Sequence, residues 1–221
     1  MREIGVEYLV FSSTCAVYGE PETVPLTESM ACRPVNPYGA SKLACERMMD
    51  DFDAAHGIKS VRLRYFNAAG ADPDGEIGER HDPETHLVPL VIEAALGRRP
   101  EVEIFGTDYP TPDGTAIRDY VHVNDLASAH IAAFRYLLDG GKTQAVNLGT
   151  GKGASVAEVV TEVERVTGLS VPRRQAHRRE GDPAQLVADP AKAQSLIGWR
   201  ATRGLSDIVR DAHEWHRRQN V

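Results

Sequence analysis

A tyrosine and a lysine lie four residues apart at the start of a predicted helix, in the run Tyr38-Gly-Ala-Ser-Lys42. This spacing puts both side chains on one helical face. A lysine ammonium beside a phenol stabilises the phenolate and lowers the pKa of the phenol, which makes tyrosine a usable general base near neutral pH. Such a pair arises by chance in roughly a third of chains of this length. The hydroxyl residues Ser12-Ser-Thr14 strengthen the hypothesis, because they end the preceding predicted strand and could share the proton.

The elements around this pair follow the order strand, loop, helix, strand. Residue pattern predicts a buried strand over 6–13, a proline-rich loop, a helix from 38 to about 56 and a second strand over 60–66. This order is a βαβ unit, so we expect an α/β fold with a parallel sheet and helices on its faces. Residues 68–84 should form an extended loop. Helices are then predicted at 86–96, 124–138, 155–167, 190–197 and 205–217, and strands at 102–105, 117–123 and 145–148.

Composition excludes several classes of protein. The 221 residues are 42% apolar and carry a formal net charge of −7. The acidic balance argues against a nucleic-acid partner. Glu93 interrupts the longest apolar stretch, which is far shorter than the roughly 20 residues of a membrane helix, so no membrane association is expected. Three cysteines do not suit a disulfide framework, and no signal peptide is visible, so we expect a cytoplasmic protein.

Two further motifs could suggest other sites. The run from Gly149 to Ala154 follows a predicted strand and opens a helix, as a dinucleotide-binding turn does. No acidic residue follows about 20 positions later, so we predict a purely structural turn. His213 and His216 lie on the last predicted helix without a cysteine or acidic partner. They are therefore expected to be surface histidines, and no metal centre is predicted.

Three runs around the Tyr38 motif resemble the extended short-chain dehydrogenase/reductase superfamily. They are Phe11-Ser-Ser-Thr14 with Val17-Tyr-Gly19, Asn36-Pro-Tyr-Gly-Ala-Ser-Lys42, and Leu63-Arg-Tyr-Phe-Asn67. Within that superfamily, residues 83–89, 104–115, 117–126 and 178–183 are similar to the UDP-glucose 4-epimerases. The similar segments run from residue 6 to about residue 200, which is nearly the whole chain.

The resemblance implies a reaction. Tyr38 would take the proton of the sugar 4-hydroxyl while the C4 hydride passes to NAD, so that UDP-glucose and UDP-galactose interconvert. Lys42 would hold the nicotinamide ribose, and Thr14 would lie between substrate and tyrosine. Ser12 and Phe66 match positions that line the cofactor. The positions that match the UDP-sugar site are Asn67, His86, Leu87, Ile104, Phe105, Arg118, Arg179 and Asp182, and Leu186 matches a position that limits bulk at the sugar 2-position.

Electrostatics supports two of these assignments. An acidic chain that binds a diphosphate needs local cations, and arginine makes planar, multidentate contacts with phosphate. Arg118 and Arg179 are the expected cations. The alternative is ordinary ion pairing of these arginines with Asp119 or Asp182. His86 departs from the many relatives that carry an amide there, which alters one substrate contact and leaves the chemistry unchanged.

The resemblance also implies a segment that this sequence does not contain. Relatives begin with a glycine-rich turn for the NAD pyrophosphate, and none is found before the Thr14 strand. At about 30 residues per βαβ unit, roughly 90 to 110 residues of the nucleotide-binding half are expected to be absent. The 221-residue chain alone is therefore expected to bind no NAD, to lack activity and to dissolve poorly.

The expected fold is thus a partial doubly wound parallel sheet with a smaller C-terminal substrate domain. Residues 1–67 and 118–149 should form the remainder of the NAD-binding domain, and residues 68–117 and 150–221 the UDP-sugar domain. Two alternatives stay open: a non-catalytic fragment that binds nucleotide sugar weakly, and a related epimerase or dehydratase. A dehydratase is disfavoured because Cys15 and Ala16, not an acid, follow Thr14. By resemblance alone, a homodimer would use the Tyr38 helix.

Overall fold

The computed structural model describes residues 1–219, which fold into alternating strands and helices. The helices are α1 (Pro37–His56), α2 (Leu87–Ala95), α3 (Val123–Leu138), α4 (Val156–Thr167), α5 (Ala191–Ile197) and α6 (Leu205–Arg218). The strands are β1 (Tyr8–Thr14), β2 (Lys59–Tyr65), β3 (Asn67–Ala69), β4 (Val102–Phe105), β5 (Ile117–Arg118), β6 (Tyr120–His122), β7 (Gln144–Leu148), β8 (Ala154–Ser155), β9 (Arg173–Ala176) and β10 (Gln185–Leu186). In residues 1–219 no helix combines the length and the apolar character needed to cross a bilayer.

A parallel sheet in the order β1-β2-β7 confirms the predicted fold class. Side chains alternate along β2, so Val61 and Leu63 belong to the core beneath α3, whereas Arg62 and Arg64 contact carboxylates of α1. The two helices therefore cover opposite faces of the sheet. Thr14, at the carboxyl end of β1, lies in register with Tyr65 at the end of β2, so one sheet edge collects the carboxyl ends.

Local sequence determines where α1 begins and ends. Asn36 caps the helix, because its side-chain oxygen accepts a hydrogen bond of 2.8 Å from the Gly39 amide. Pro37 occupies the first turn, where its missing N–H costs no helical hydrogen bond. Gly57 ends the helix at φ 71°, a left-handed conformation that favours glycine. These signals place Tyr38 in the first turn of α1.

A second core forms where α2, α4 and α6 pack together with β4, which pairs in parallel with β9. Ile208, Ala212 and His216 lie at four-residue spacing on the buried face of α6. The prediction of two surface histidines on α6 was therefore wrong: His216 is buried and His213 is half-buried. Burial lowers the pKa of both imidazoles.

The predicted strand over 117–123 is two strands in different sheets. β5 pairs with β10 and β8, whereas β6 pairs with β3, and Asp119 separates them. The Asp119 carboxylate is buried and accepts hydrogen bonds from the Thr150 amide at 2.8 Å and the Ala188 amide at 3.2 Å. Because its carboxylate is held by these amides, Asp119 cannot extend the apolar face of either strand, and the chain changes sheet at this residue. Burial raises the pKa of Asp119.

The division of the chain into two lobes also differs from the prediction. α5 and Trp199 pack on β7 and α3, in the same core as Val61 and Leu63. The Trp199 indole N–H donates to the Asp125 carbonyl at 2.9 Å. Residues 191–201 therefore belong with the parallel sheet, although residues 150–221 were assigned to the substrate domain. Their apolar side chains extend the core of the sheet on its α3 face.

A buried ion pair joins α1 to the sheet. The Arg64 guanidinium donates to Glu46 from Nε at 2.9 Å and from Nη2 at 2.5 Å. The Ser13 hydroxyl also donates to Glu46, and Arg64 Nη1 donates to the Tyr18 hydroxyl at 3.0 Å. Tyr18 in turn donates to the side-chain oxygen of Asn147 on β7 at 2.6 Å. Burial raises the pKa of Tyr18 to about 12, so its phenol stays protonated and keeps this bond.

We predict that Glu46→Ala lowers the free energy of unfolding by about 3–5 kcal/mol, because it leaves the Arg64 guanidinium buried without its carboxylate. Urea denaturation followed by circular dichroism measures the loss. The matched control is Asp51→Ala on the exposed face of the same helix, which should change stability by less than about 0.5 kcal/mol. Equal losses in the two variants would contradict the role given to the ion pair.

Candidate active site at the strand ends

The predicted catalytic residues meet at the carboxyl edge of the parallel sheet. Thr14 ends β1, Phe66 follows β2, and Tyr38 lies in the first turn of α1. All three line a cavity of about 650 Å³, together with Asn67 and His86. Ligands of open α/β sheets bind outside the carboxyl ends of the strands, so this cavity occupies the expected place for a site.

Lys42 approaches Tyr38 from one helical turn further along α1. Its ammonium lies 5.7 Å from the centroid of the Tyr38 ring and donates to the Ser12 carbonyl at 3.0 Å. That hydrogen bond ties the ammonium to the end of β1. Tyr38 is 55% exposed, so its phenol is open to a ligand in the cavity.

Hydrogen bonds orient the two hydroxyl residues at the end of β1. Thr14 Oγ1 accepts from the Ala16 amide at 3.1 Å, which leaves the hydroxyl proton of Thr14 able to donate. Ser12 points to the α3 face, where its hydroxyl lies 3.1 Å from His130 Nε2. His130 Nδ1 lies 2.8 Å from the Leu126 carbonyl, which can only accept, so the Nδ1–H donates to that carbonyl and Nε2 faces the Ser12 hydroxyl. Ser12 thus contacts Lys42 and His130, not the cavity.

A second cavity, of about 500 Å³, shares Asn67 and His86 with the first. Its lining includes Leu87, Phe105, Arg118, Arg179 and Asp182. The two cavities adjoin at the shared residues. Seven of the eight residues predicted to bind the UDP part line the second cavity, and the shared pair also lines the first; only Ile104 lines neither.

The two arginines of the second cavity are held differently. Arg118 forms an ion pair with Asp182 and donates from Nη1 to the Ile117 carbonyl at 2.7 Å. The Arg179 guanidinium stacks 3.9 Å from the centroid of the Phe105 ring. Arg118 thus pairs with Asp182 and not with Asp119. The Asp119 carboxylate instead accepts a hydrogen bond from Thr150, in the loop after β7. A cation stacked on a ring keeps its edge available to an anion.

Two predicted substrate residues do not line either cavity. Ile104 is buried in the core, because alternate residues of β4 face opposite sides and Phe105 takes the cavity side. Leu186, on β10, packs against the buried cluster that includes Tyr18 and Phe66. Its effect on substrate size stays a prediction.

The Gly149 turn is structural, as predicted. Asp119 accepts hydrogen bonds from the Thr150 amide at 2.8 Å and from the Gly151 amide at 3.0 Å, so these amides are already occupied. A Cβ at Gly149 would lie 2.3 Å from the Ala188 side chain and 2.5 Å from the Asp119 carboxylate. Close packing of these two side chains against the Gly149 backbone accounts for this glycine.

Sequence reasoning missed the residues that hold α1 in place. Glu46 and Arg64 were not singled out, and His130 was not paired with Ser12. One signal was present: Val61-Arg-Leu-Arg64 alternates apolar and cationic residues within a strand that is buried on both faces. A buried cation requires a carboxylate partner, which points to an acidic residue on the adjacent helix.

Fold and site together define a doubly wound α/β protein with a tyrosine–lysine pair at its ligand-binding edge. Residues 1–149 match the NAD dependent epimerase/dehydratase family. A relative from Rhizobium meliloti (strain 1021), named UDP-glucose 4-epimerase, is 51% identical over 216 residues, which cover 98% of this chain and 66% of the relative. This chain belongs to the NAD dependent epimerase/dehydratase family.

Solved structures agree with this assignment. The UDP-glucose 4-epimerase from Brucella ovis in complex with NAD is 50% identical with a TM-score of 0.94, over 97% of this chain and 66% of that one. The enzyme from Bifidobacterium longum in complex with NAD+ and UDP is 38% identical with a TM-score of 0.93, over 99% and 66% of the two chains. The chain thus spans about two thirds of the length of the relatives that it matches.

Proposed function

We propose that this chain carries the proton-transfer and nucleotide-sugar residues of an NAD-dependent UDP-glucose 4-epimerase, which interconverts UDP-glucose and UDP-galactose. The observation that carries the proposal is the pair of adjoining cavities that share Asn67 and His86. One ligand can therefore contact Tyr38 at one end and Arg118 and Arg179 at the other. The names of the relatives from Rhizobium meliloti and Brucella ovis support the same activity.

The residues at the edge of the sheet fit the nicotinamide end of NAD. Phe66 lines the first cavity, and the Lys42 ammonium, which donates to the Ser12 carbonyl at 3.0 Å, keeps two further N–H groups for ribose hydroxyls. When bound, NAD would accept the hydride of the sugar C4 and return it to the opposite face. Tyr38 and Lys42 would adjoin the cofactor ribose, and Thr14 the reacting sugar. The Brucella ovis relative is described in complex with NAD, which supports this cofactor.

In this reaction Tyr38 is the general base and then the general acid. Its phenolic oxygen takes the proton of the sugar 4-hydroxyl and returns it once the hydride has come back. The Lys42 ammonium stabilises the negative charge that forms on the phenol as the proton moves. Thr14 would donate its hydroxyl proton toward the phenolic oxygen of Tyr38, since Thr14 Oγ1 already accepts one hydrogen bond from the Ala16 amide and its proton is free. Tyr38, Lys42 and Thr14 therefore control one proton.

At the other end, arginines balance the charge of the diphosphate. The formal net charge of the chain is −7, so an anion needs locally concentrated cations. Arg118 is pre-oriented by Asp182, and Arg179 by the Phe105 ring. Asp182 can also accept a hydrogen bond from a ribose hydroxyl. Asn67, His86 and Leu87 would complete the contacts along the nucleotide sugar.

Two alternatives from the sequence receive less support. A nucleotide-sugar dehydratase needs an acid beside the catalytic hydroxyl, and the residue after Thr14 is Cys15. Burial raises the pKa of the Cys15 thiol to about 12, so it is a poor acid at neutral pH. A non-catalytic fragment that binds nucleotide sugar weakly predicts no turnover under any condition, and the fusion protein described below distinguishes it.

We also propose an oligomeric state and a cellular location for this chain. Met48 and Phe52, four residues apart on α1, are exposed apolar side chains. A helical face of this kind favours the homodimer expected from the superfamily. Three free thiols favour a reducing compartment, and we propose the cytoplasm.

Removal of one cavity arginine should weaken nucleotide binding by the chain itself. We predict that Arg179→Ala raises the Kd for UDP on the order of tenfold or more, since a charge-assisted hydrogen bond contributes about 1.5–3 kcal/mol. Isothermal titration calorimetry on the 221-residue chain measures this without NAD. The control is Arg165→Ala, on α4, whose guanidinium pairs with Glu162 outside both cavities. An unchanged Kd in Arg179→Ala, or equal losses in both variants, would contradict the assignment.

Turnover is tested in a fusion of this chain with the part of the Rhizobium meliloti relative that it does not match. We predict that Tyr38→Phe lowers kcat by roughly 10²–10⁴-fold with little change in the Kd for UDP-glucose, because the phenol acts in proton transfer. The control is Tyr136→Phe, which removes a hydroxyl on α3 that contacts the Lys142 amide. A fusion that turns over normally without the Tyr38 hydroxyl refutes its role, and a fusion that binds UDP-glucose and NAD without any turnover favours the non-catalytic alternative.

A further inference from the structure

Two histidines and two glutamates converge on the loop that leads into α2. Glu79, His81, Glu84 and His86 each offer one ligand atom, and these atoms lie within 4.8 Å of one another. The imidazole rings of His81 and His86 are stacked, with centroids 5.5 Å apart and an angle of 17° between the planes. The sequence predicted an extended loop over 68–84 and no metal centre. Neither the order of the residues nor the periodicity of a helix or strand predicted that these four side chains meet.

The individual contacts place His86 at the centre of the group. Its Nδ1 lies 2.5 Å from Glu79 Oε1 and 3.5 Å from Glu84 Oε1. His81 Nδ1 lies 3.9 Å from the same oxygen of Glu84. A tetrahedral ion with bonds of about 2.1 Å holds its ligand atoms about 3.4 Å apart. Shifts of about 1 Å in exposed side chains would therefore bring all four onto one ion.

Hydrogen bonds and packing hold this loop in place, although His81 and His86 are exposed. The Trp215 indole N–H donates to the Glu79 carbonyl at 2.9 Å. Gly78 packs directly on that indole, where a Cβ would lie 2.3 Å from the ring. The Glu84 side chain is only 8% exposed, and its Oε1 accepts from the Thr85 and His86 amides at 2.7 and 2.8 Å. A ligand set on an anchored loop loses less entropy when it binds an ion.

We propose that Glu79, His81, Glu84 and His86 form a binding site for one divalent transition-metal ion of the zinc type. Two imidazole nitrogens and two carboxylate oxygens suit Zn²⁺ and Co²⁺, whereas Mg²⁺ and Ca²⁺ select oxygen ligands. Two carboxylates neutralise the charge of the ion, so binding brings no excess positive charge onto the loop. The site lies beside the substrate cavities, because His86 lines both of them, but its existence does not depend on the proposed reaction.

The test titrates the 221-residue chain with ZnCl₂ by isothermal titration calorimetry, without nucleotide or NAD. We expect one ion per chain, at least tenfold weaker binding in each of His81→Ala and Glu84→Gln, and no comparable binding of MgCl₂. Co²⁺ provides a second measurement, because a tetrahedral nitrogen and oxygen site gives a visible absorption band that both variants should lose.

The control variants are His56→Ala, at the end of α1, and His177→Ala, on an exposed loop after β9. Both should bind Zn²⁺ as the unaltered chain does. Circular dichroism of all four variants verifies that they remain folded. The proposal is overturned if Zn²⁺ binding is absent, if it survives unchanged in His81→Ala and Glu84→Gln, or if the controls lose it equally.

Discussion

The ion pair between Glu46 and Arg64 is the constraint on which the rest of the site depends. The pair is buried and joins the middle of α1 to β2. Ser13 on β1 also donates to Glu46, and Tyr18, which accepts from Arg64, donates to Asn147 on β7. A guanidinium and a carboxylate removed from water retain their stability only when all their partners are in place, so they admit one placement of the helix. Lys42 lies one helical turn before Glu46 and Tyr38 two turns before it. The pair therefore fixes both residues relative to Thr14.

A single carboxylate performs a similar task at the other side of the cavities. Asp119 ends β5, turns the chain into β6 and holds the amides of Thr150, Gly151 and Ala188. Because the two short strands join different sheets, Arg118 faces Asp182 while Tyr120 enters the core among α2, α4 and α6. The site thus lies between a parallel sheet and a helical cluster, with one buried acid anchoring each side.

The sequence predicted contacts between residues that lie close together along the chain, and it did not predict contacts between distant residues. The helix from residue 38 to about 56 and the grouping of Tyr38, Lys42 and Thr14 follow from short-range patterns, and they were predicted from the residues alone. The position of Arg179 beside Phe105 could not be predicted from the residues alone. These two residues are distant in sequence and meet only because β4 pairs with β9. The resemblance to a known family provided that assignment.

Where the predictions failed, tertiary packing outweighed local pattern. The apolar residues of α5 appear equally suited to either lobe in sequence, and only their contacts with β7 decide between them. β9 begins Arg173-Arg174, and these charged residues gave no strand signal, although Arg174 pairs with Glu101 and Glu103 and Arg173 pairs with Glu164. Ile104 and Phe105 differ by one position, and the strand period determines which of them faces the cavity.

The central claim is that one ligand spans both cavities, with its sugar at Tyr38 and its diphosphate at the arginines. A crystal structure of the fusion protein with NAD and UDP-glucose tests it most directly. The account predicts the sugar 4-hydroxyl within about 2.6–3.2 Å of the Tyr38 phenolic oxygen, and the diphosphate in contact with Arg118 and Arg179. A complex in which the nucleotide lies outside the second cavity, or in which another side chain contacts the 4-hydroxyl while Tyr38 does not, would contradict it.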